Sequence, residues 1–226
     1  MRVAIMQPYF FPYAGYFRLF AAADTFILYD CVQFPRRGWV HRNRLPDAKG
    51  ELSWLTLPVE HAHYHARIGE MKLAVDVRER LGDQTRRFPL LRTAPTAETE
   101  RHLEWHGLAG GRPLVDYLED TLRATAQALG VSRPIVRSSK FNIPVGVAAQ
   151  DRILALCAAA GATVYINSPG GTALYDAIAF ADHGVTLDFL EPWTGSYASI
   201  LVSLVCGEAE QAKREIAKQS MTRGRD

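Results

Sequence analysis

Val3-Ala4-Ile5-Met6 is a short apolar run that stops at a loop carrying Pro8 and Pro12, the pattern of a buried strand. From Ala14 to Ala23 the chain is aromatic and Ala-rich, with Tyr16, Leu19 and Phe20 at helical spacing. Asp24 and Thr25 punctuate it, and Phe26-Ile27-Leu28-Tyr29 gives a second strand. Strand, loop, helix, strand opens a parallel α/β unit with a right-handed crossover. The pattern returns later. Pro134 to Ser139 reads as a strand, Gln150 to Ala160 as a helix closed by Gly161, and Thr163 to Asn167 as the strand behind it. Leu174 to His183 then reads as a helix and Val185 to Leu190 as the last strand. The expected fold class is therefore α/β, with a parallel (Rossmann-like) core sheet.

Between these units, Trp39 to Leu45 and Leu52 to Pro58 form an expected β pair around the turn Asp47-Ala48-Lys49-Gly50. Ile68 to Leu73 is read as a further strand. Residues 75–130 are helical in character, broken at Pro89, Pro95 and Gly110-Gly111, with Leu114 to Leu129 the clearest amphipathic segment. They are expected to be a helical insertion or subdomain within a single α/β domain spanning 1–226. Glu208 to Lys218 reads as a charged helix that frays beyond Ser220.

Composition removes several classes of function. A net charge of +2 is too small for wholesale nucleic-acid binding. No run approaches the roughly 20 apolar residues that span a bilayer, so no membrane partner is expected. Cys31, Cys157 and Cys206 are odd in number and far apart, which suits neither a disulfide framework nor a zinc knuckle. With no charged n-region leading into an apolar stretch, the expected compartment is reducing and cytoplasmic.

The chemistry gathers just beyond the strand ends, where open α/β sheets bind ligands. Gln7, Tyr9 and Tyr16 follow the first strand, offering an amide and two hydroxyls. Asp30, Gln33, Arg37, Arg42, Asn43 and Arg44 form a dense polar set interrupted by Gly38-Trp39, and Arg36 brings the stretch to four arginines in nine residues. Guanidinium forks suit phosphate or carboxylate. Asn167-Ser168-Pro169-Gly170-Gly171 follows a later strand and precedes Tyr175, a turn whose amides can seat an anion. Ser138-Ser139-Lys140 is another potential phosphate contact. Cys31 adjoins Asp30, with His41 nearby in sequence, whereas Cys157 reads as a packing residue. His61, His63 and His65 alternate, and His102 and His106 flank Glu104. Neither group has a matched ligand set, so both read as exposed histidines and no metal is expected.

Gln7-Pro8-Tyr9-Phe10-x-Pro12-Tyr13-x-Gly15-Tyr16-Phe17, Ala23-Asp24, Tyr29-Asp30-x-Val32-Gln33 and Arg37-Gly38-Trp39-x-x-Arg42-Asn43-Arg44 together resemble the WbqC-like family. The later Tyr165-x-Asn167-x-x-Gly170-Gly171-x-x-x-Tyr175 stretch resembles it too. The resemblance covers most of the chain and is most specific in its first third. It implies a small cytoplasmic enzyme of amino-sugar or amino-acid modification, forming an amide from an activated acyl or aminoacyl group. Such genes occur in bacterial surface-polysaccharide and natural-product biosynthesis. Three positions depart from the pattern: Cys31 replaces an acid, His41 an Asn, and Ala198-Ser199-Ile200-Leu201-Val202 lacks the usual late Asp. The opening unit is also faintly similar to the nucleotidylyltransferase fold, with Tyr16 in place of the histidine after Gly15.

The expected reaction is acyl or aminoacyl transfer from a carrier-protein thioester, or another activated donor, to a small amine or amino-sugar acceptor, without a cofactor. Arg37, Arg42 and Arg44 are expected to bind an anionic group, Asp30 or His41 to take the amine proton, and Tyr9, Gln7 or Asn43 to steady the oxyanion. Tyr16, Gln33, Trp39, Asn167, Gly170, Gly171 and Tyr175 complete the expected substrate contacts. Two other readings stand beside it: ATP-dependent adenylyl transfer or ligation, and a non-catalytic module for a sugar nucleotide or partner protein.

Overall fold

The structure, a computed structural model, describes residues 1–92 and 107–220, together with the backbone of 222–223. β1 (Arg2–Met6) runs into a loop, a 3-10 turn at Ala14–Phe17 and α1 (Arg18–Ala22), and β2 (Thr25–Leu28) follows. The hairpin of β3 (Arg42–Pro46) and β4 (Leu52–Thr56) forms a separate two-stranded sheet. Among the described residues, helices α2 (Val77–Thr85), α3 (Pro89–Arg92) and α4 (Leu114–Ala128) lie between β4 and β5 (Ile135–Arg137). The chain continues through α5 (Ala149–Ala160), β6 (Val164–Asn167), α6 (Ala177–Asp182) and β7 (Thr186–Leu190). It closes with α7 (Leu201–Val205), α8 (Ala209–Gln219) and β8 (Thr222–Arg223).

The main sheet has the order β5-β2-β1-β6-β7-β8. Its first five strands are parallel, with Val3 opposite Thr25 on one side and Tyr165 on the other; β8 alone is antiparallel. The fold is thus α/β, a five-stranded parallel sheet flanked by helices. Counted along the chain, the parallel strands stand in the order 3-2-1-4-5. From β1 the chain moves outward through β2 and β5, then returns to build the other half. That reversal leaves a crevice at the carboxyl ends of β1 and β6.

Both faces of the sheet are covered, as a parallel sheet requires. Strand alternation sends Val3, Ile5 and Ile27 to one face, against Ile153, Leu156, Cys157 and Phe180. Ala4, Phe26 and Leu28 go to the other face, which carries the larger core with Phe17, Phe20 and Trp193. Val77, Leu81, Tyr117 and Leu122 of the middle helices join that same core.

The structure departs from the sequence reading in three places. Ile68–Glu70 is a 3-10 turn rather than a strand. The Arg67 N–H donates to Glu70 Oε2 at 2.8 Å within the turn, and the Gly69 N–H donates to the distant Asp30 O at 2.9 Å, so the backbone is satisfied without a strand partner. The helix expected from Leu174 begins at Ala177, because Asp176 caps it by accepting from the Ile178 N–H at 3.0 Å. Thr222–Arg223, expected to fray, pairs with Phe189 and Leu190. Pro95 lies outside the described residues.

The loop after β1 is strained. Phe11 has φ = 40°, the left-handed region that non-glycine residues avoid. Such a residue costs on the order of 1–3 kcal/mol and persists only where its surroundings hold it. Here Asn43 Nδ2 donates to Phe10 O at 3.1 Å and Phe11 O at 2.7 Å, and Ser199 Oγ donates to Phe11 O at 2.8 Å. Each such bond contributes roughly 0.5–1.5 kcal/mol net, so together they offset the strain.

Candidate functional site

A cavity of about 390 Å³ occupies the crevice at the ends of β1, β6 and β7. Residues remote in sequence meet there: Tyr9 and Tyr13 from the strained loop, Trp39 and Arg44 from the hairpin region, Gly170 after β6, and Trp193 after β7. Two glycines allow the close approach. A Cβ on Gly15 would lie 2.8 Å from the Trp193 ring, and one on Gly171 would lie 2.2 Å from Asn167 Nδ2. Gly170 differs, since a Cβ there meets nothing within 4 Å.

Arg44 is the cation of this cavity with its hydrogen-bonding edge free. Its guanidinium lies over Trp39 (5.2 Å) and Trp54 (5.6 Å), whose rings are 5.0 Å apart. Stacking fixes the faces of the group and spends none of its N–H donors. No guanidinium nitrogen of Arg44 has a hydrogen-bond or carboxylate partner among the described residues, and Nε is fully enclosed. Arg42 is built the other way. It lies 4.1 Å over Trp54, its Nε donates to Gly38 O at 3.2 Å, and Nη2 donates to the Arg37 carbonyl. Arg42 therefore braces the tryptophan on which Arg44 rests.

Arg18 is the second cation and is 1% exposed. Nε donates to Gln219 O at 2.6 Å and Nη1 to Glu191 O at 2.9 Å, while Nη2 is enclosed without a hydrogen-bond partner. Burial lowers its pKa, opposed by Tyr13, Glu191 and Tyr197. No carboxylate lines the cavity among the described residues. Its described lining thus carries two guanidinium groups and aromatic walls.

Tyr9, Tyr13 and Tyr16 are phenols at neutral pH. Burial raises the Tyr9 pKa; burial, then Tyr197 and Tyr9, raise that of Tyr13. Tyr16 spends its hydroxyl on Gln7 O at 2.8 Å, leaving its ring as wall beneath Tyr9.

Other expected site residues lie elsewhere or are already engaged. Both Asn43 donors hold the Phe10–Phe11 backbone, and its oxygen accepts from the Arg44 N–H at 2.8 Å. Asn167 is buried, accepts from the Ser168 N–H at 2.7 Å and shapes the turn that presents Gly170. Gln7 contributes its carbonyl to Tyr16 and is not among the lining residues. Gln33 is exposed, with Nε2 donating to Tyr64 O at 2.9 Å, and Arg37 is exposed. Tyr175 packs edge-on against Tyr165 and Phe180, with the core on the opposite face of the sheet.

The two residues expected to take a proton do not reach the cavity. His41 is 8% exposed and packs on Phe34 at 4.9 Å, with Nδ1 unpartnered. Burial, then the Arg42 charge, lower its pKa to about 4, so it is neutral at pH 7. Asp30 is buried beside a separate hollow of about 270 Å³ that also takes in Cys31, Arg67 and Lys140. Its Oδ1 accepts from Ser138 Oγ (2.8 Å) and Ser139 N–H (2.9 Å), and Oδ2 accepts from Ser139 Oγ (2.6 Å). Ser138-Ser139 thus clamps the carboxylate instead of facing a phosphate. Cys31 Sγ lies 3.5 Å from Arg152 Nη1.

His61, His63 and His65 are exposed, and no group of three or more His, Cys, Asp or Glu able to hold a metal occurs among the described residues. His102 and His106 lie outside them. No helix among the described residues is long and apolar enough to cross a membrane. Sequence reasoning missed Arg18, Trp193 and Tyr197. The only signal was a lone arginine inside an aromatic helix.

No solved structure matches the chain. An uncharacterized protein of Mycobacterium tuberculosis, Rv1507c, is 28% identical over 192 residues, covering 84% of this chain and 82% of that protein. The model of the WbqC-like protein family matches residues 7–200, a span that contains the strained loop, the arginine–tryptophan stack, the Gly170 turn and Trp193. With every described lining residue of the cavity except Met6 inside that match, the chain belongs to the WbqC-like protein family.

Proposed function

We propose that this protein is an acyl or aminoacyltransferase that joins an activated, anionic donor to an amine, in surface-polysaccharide or natural-product biosynthesis. The observation that carries the reading is Arg44, a guanidinium set against two tryptophan rings with its Nη donors unspent, beside a cavity with no carboxylate among its described lining residues. In the proposed reaction the amine nitrogen attacks the donor carbonyl. The C–N bond forms, the C–S bond breaks with its electron pair on sulfur, and the amine proton neutralises the departing thiolate. Tyr9 and Tyr13, kept protonated by burial, are suited to donate hydrogen bonds to the tetrahedral oxyanion. A carrier protein is one bearer of such a thioester, and a small amine or amino sugar is the acceptor. Three free cysteines support a cytoplasmic setting.

The test is incubation of the purified protein with aminoacylated carrier protein or free thioesters and a set of amines, read by intact mass. Amide product that falls at least tenfold in Arg44→Gln is expected. Absence of product across a broad donor set would overturn the reading.

A further inference from the structure

We propose that the group seated in this cavity is a nucleotide, with its phosphate on Arg44 and its base among the tyrosine and tryptophan rings. The inference rests on taking the cavity as the donor site, and it names the donor's handle. Four observations lead there. The cavity sits where the strand order reverses, the position at which open α/β sheets receive ligands. Arg44 offers a planar fork matched to phosphate oxygens. The walls are rings, Tyr9, Tyr13, Trp39, Trp193 and Tyr197, with no Asp, Glu, His or Gln among the described lining residues. Asn43 spends its amide on the loop and on the Arg44 N–H, so the hydrogen-bonding side chains left in the lining beside the arginines are mainly the Ser168 and tyrosine hydroxyls, which suit the ribose of one nucleotide. A flat base needs only faces to stack on.

Size points the same way. A volume of 390 Å³ lies near the lower end of the roughly 300–1,000 Å³ common for small-molecule sites, suiting one nucleoside phosphate rather than a dinucleotide. Gly170 leaves one wall without a side chain, which lets a ligand approach the backbone. A donor of this class carries its acyl group either as a thioester on a nucleotide-bearing arm or as a mixed anhydride on the phosphate. In either case the C–N bond forms as the C–S or C–O bond breaks, and the nucleotide-bearing fragment leaves with the electron pair and accepts the amine proton.

Isothermal titration of the full chain with AMP, adenosine, glucose 1-phosphate and inorganic phosphate tests the proposal without turnover. AMP is expected to bind at least tenfold more tightly than glucose 1-phosphate or phosphate. Arg44→Gln should weaken AMP at least tenfold while changing adenosine less than twofold. Gly170→Leu, whose Cβ meets no protein atom, should keep the wild-type melting temperature and weaken both AMP and adenosine. Glucose 1-phosphate binding as tightly as AMP would make this a sugar-phosphate site, and phosphate doing so would leave an anion hook only. Either result overturns the proposal, as does no saturable AMP binding at millimolar concentration. AMP binding without amide formation would sink the transferase reading and leave the nucleotide site standing. Amide formation without AMP binding would do the reverse.

Discussion

Asn43 Nδ2 donates to the Phe11 carbonyl across 2.7 Å, tying the hairpin to the one residue of the loop after β1 whose φ is positive. Asn43→Ala removes one donor from each of two carbonyls, those of Phe10 and Phe11, and loosens a strained turn. A loss of about 2–3 kcal/mol in urea denaturation is expected. A change below about 0.5 kcal/mol would mean that Ser199 alone secures the loop.

Neighbouring glycines should behave differently. Gly171→Ala places a methyl 2.2 Å from Asn167 Nδ2 and must displace a buried amide, for about 1–3 kcal/mol of destabilisation. Gly170→Ala meets open space and should stay within about 0.5 kcal/mol of wild type. Equal effects in thermal melts would refute the packing assigned to the turn.

His41 makes stability depend on pH. Its folded pKa of about 4 lies below the ordinary 6.5, so between these values the unfolded chain binds the extra proton. Its contribution is whole above pH 6.5 and is lost as pH falls toward 4, up to about 3 kcal/mol. Denaturant midpoints measured from pH 7 to 4.5 should fall more steeply for wild type than for His41→Leu. Parallel curves would show that the imidazole is not the source.

Asp30→Asn puts an N–H₂ group among the hydroxyls and amide that now donate to the carboxylate. We expect a cost of about 2–4 kcal/mol in stability, with AMP affinity unchanged within twofold because the residue borders the other hollow. A tenfold loss of affinity without destabilisation would return Asp30 to the functional site.

Tyr9→Phe keeps the ring and removes the phenol. If that hydroxyl steadies the oxyanion, the rate of amide formation drops on the order of 10²-fold while nucleotide binding holds. An unchanged rate removes Tyr9 from the chemistry.

Much of the architecture was legible because β1, β2, β6 and β7 are brief apolar runs bounded by turn residues, and a sheet covered on both faces needs that pattern. Ile68–Glu70 misled, since its backbone is satisfied by Asp30, nearly forty positions earlier, which local propensity does not register. Tyr9, Trp39, Arg44 and Gly170 could be picked out as polar or aromatic groups at strand ends, and they do line one cavity. Period-two alternation in β3 also separates the half-exposed Arg42 and Arg44 from the buried Asn43 and Leu45. Arg18 was illegible: its partners stand 173 and 201 positions away, and nothing nearby in the chain marks them.

That same arginine gives the molecule an order of assembly. Its two carbonyl partners are made long after it during translation, so the nascent chain carries a solvated guanidinium until both arrive. The hollow therefore matures late, and anything lodged in it would act as a fastener for α8. Slower amide exchange at Gln219 in the occupied protein would be its signature.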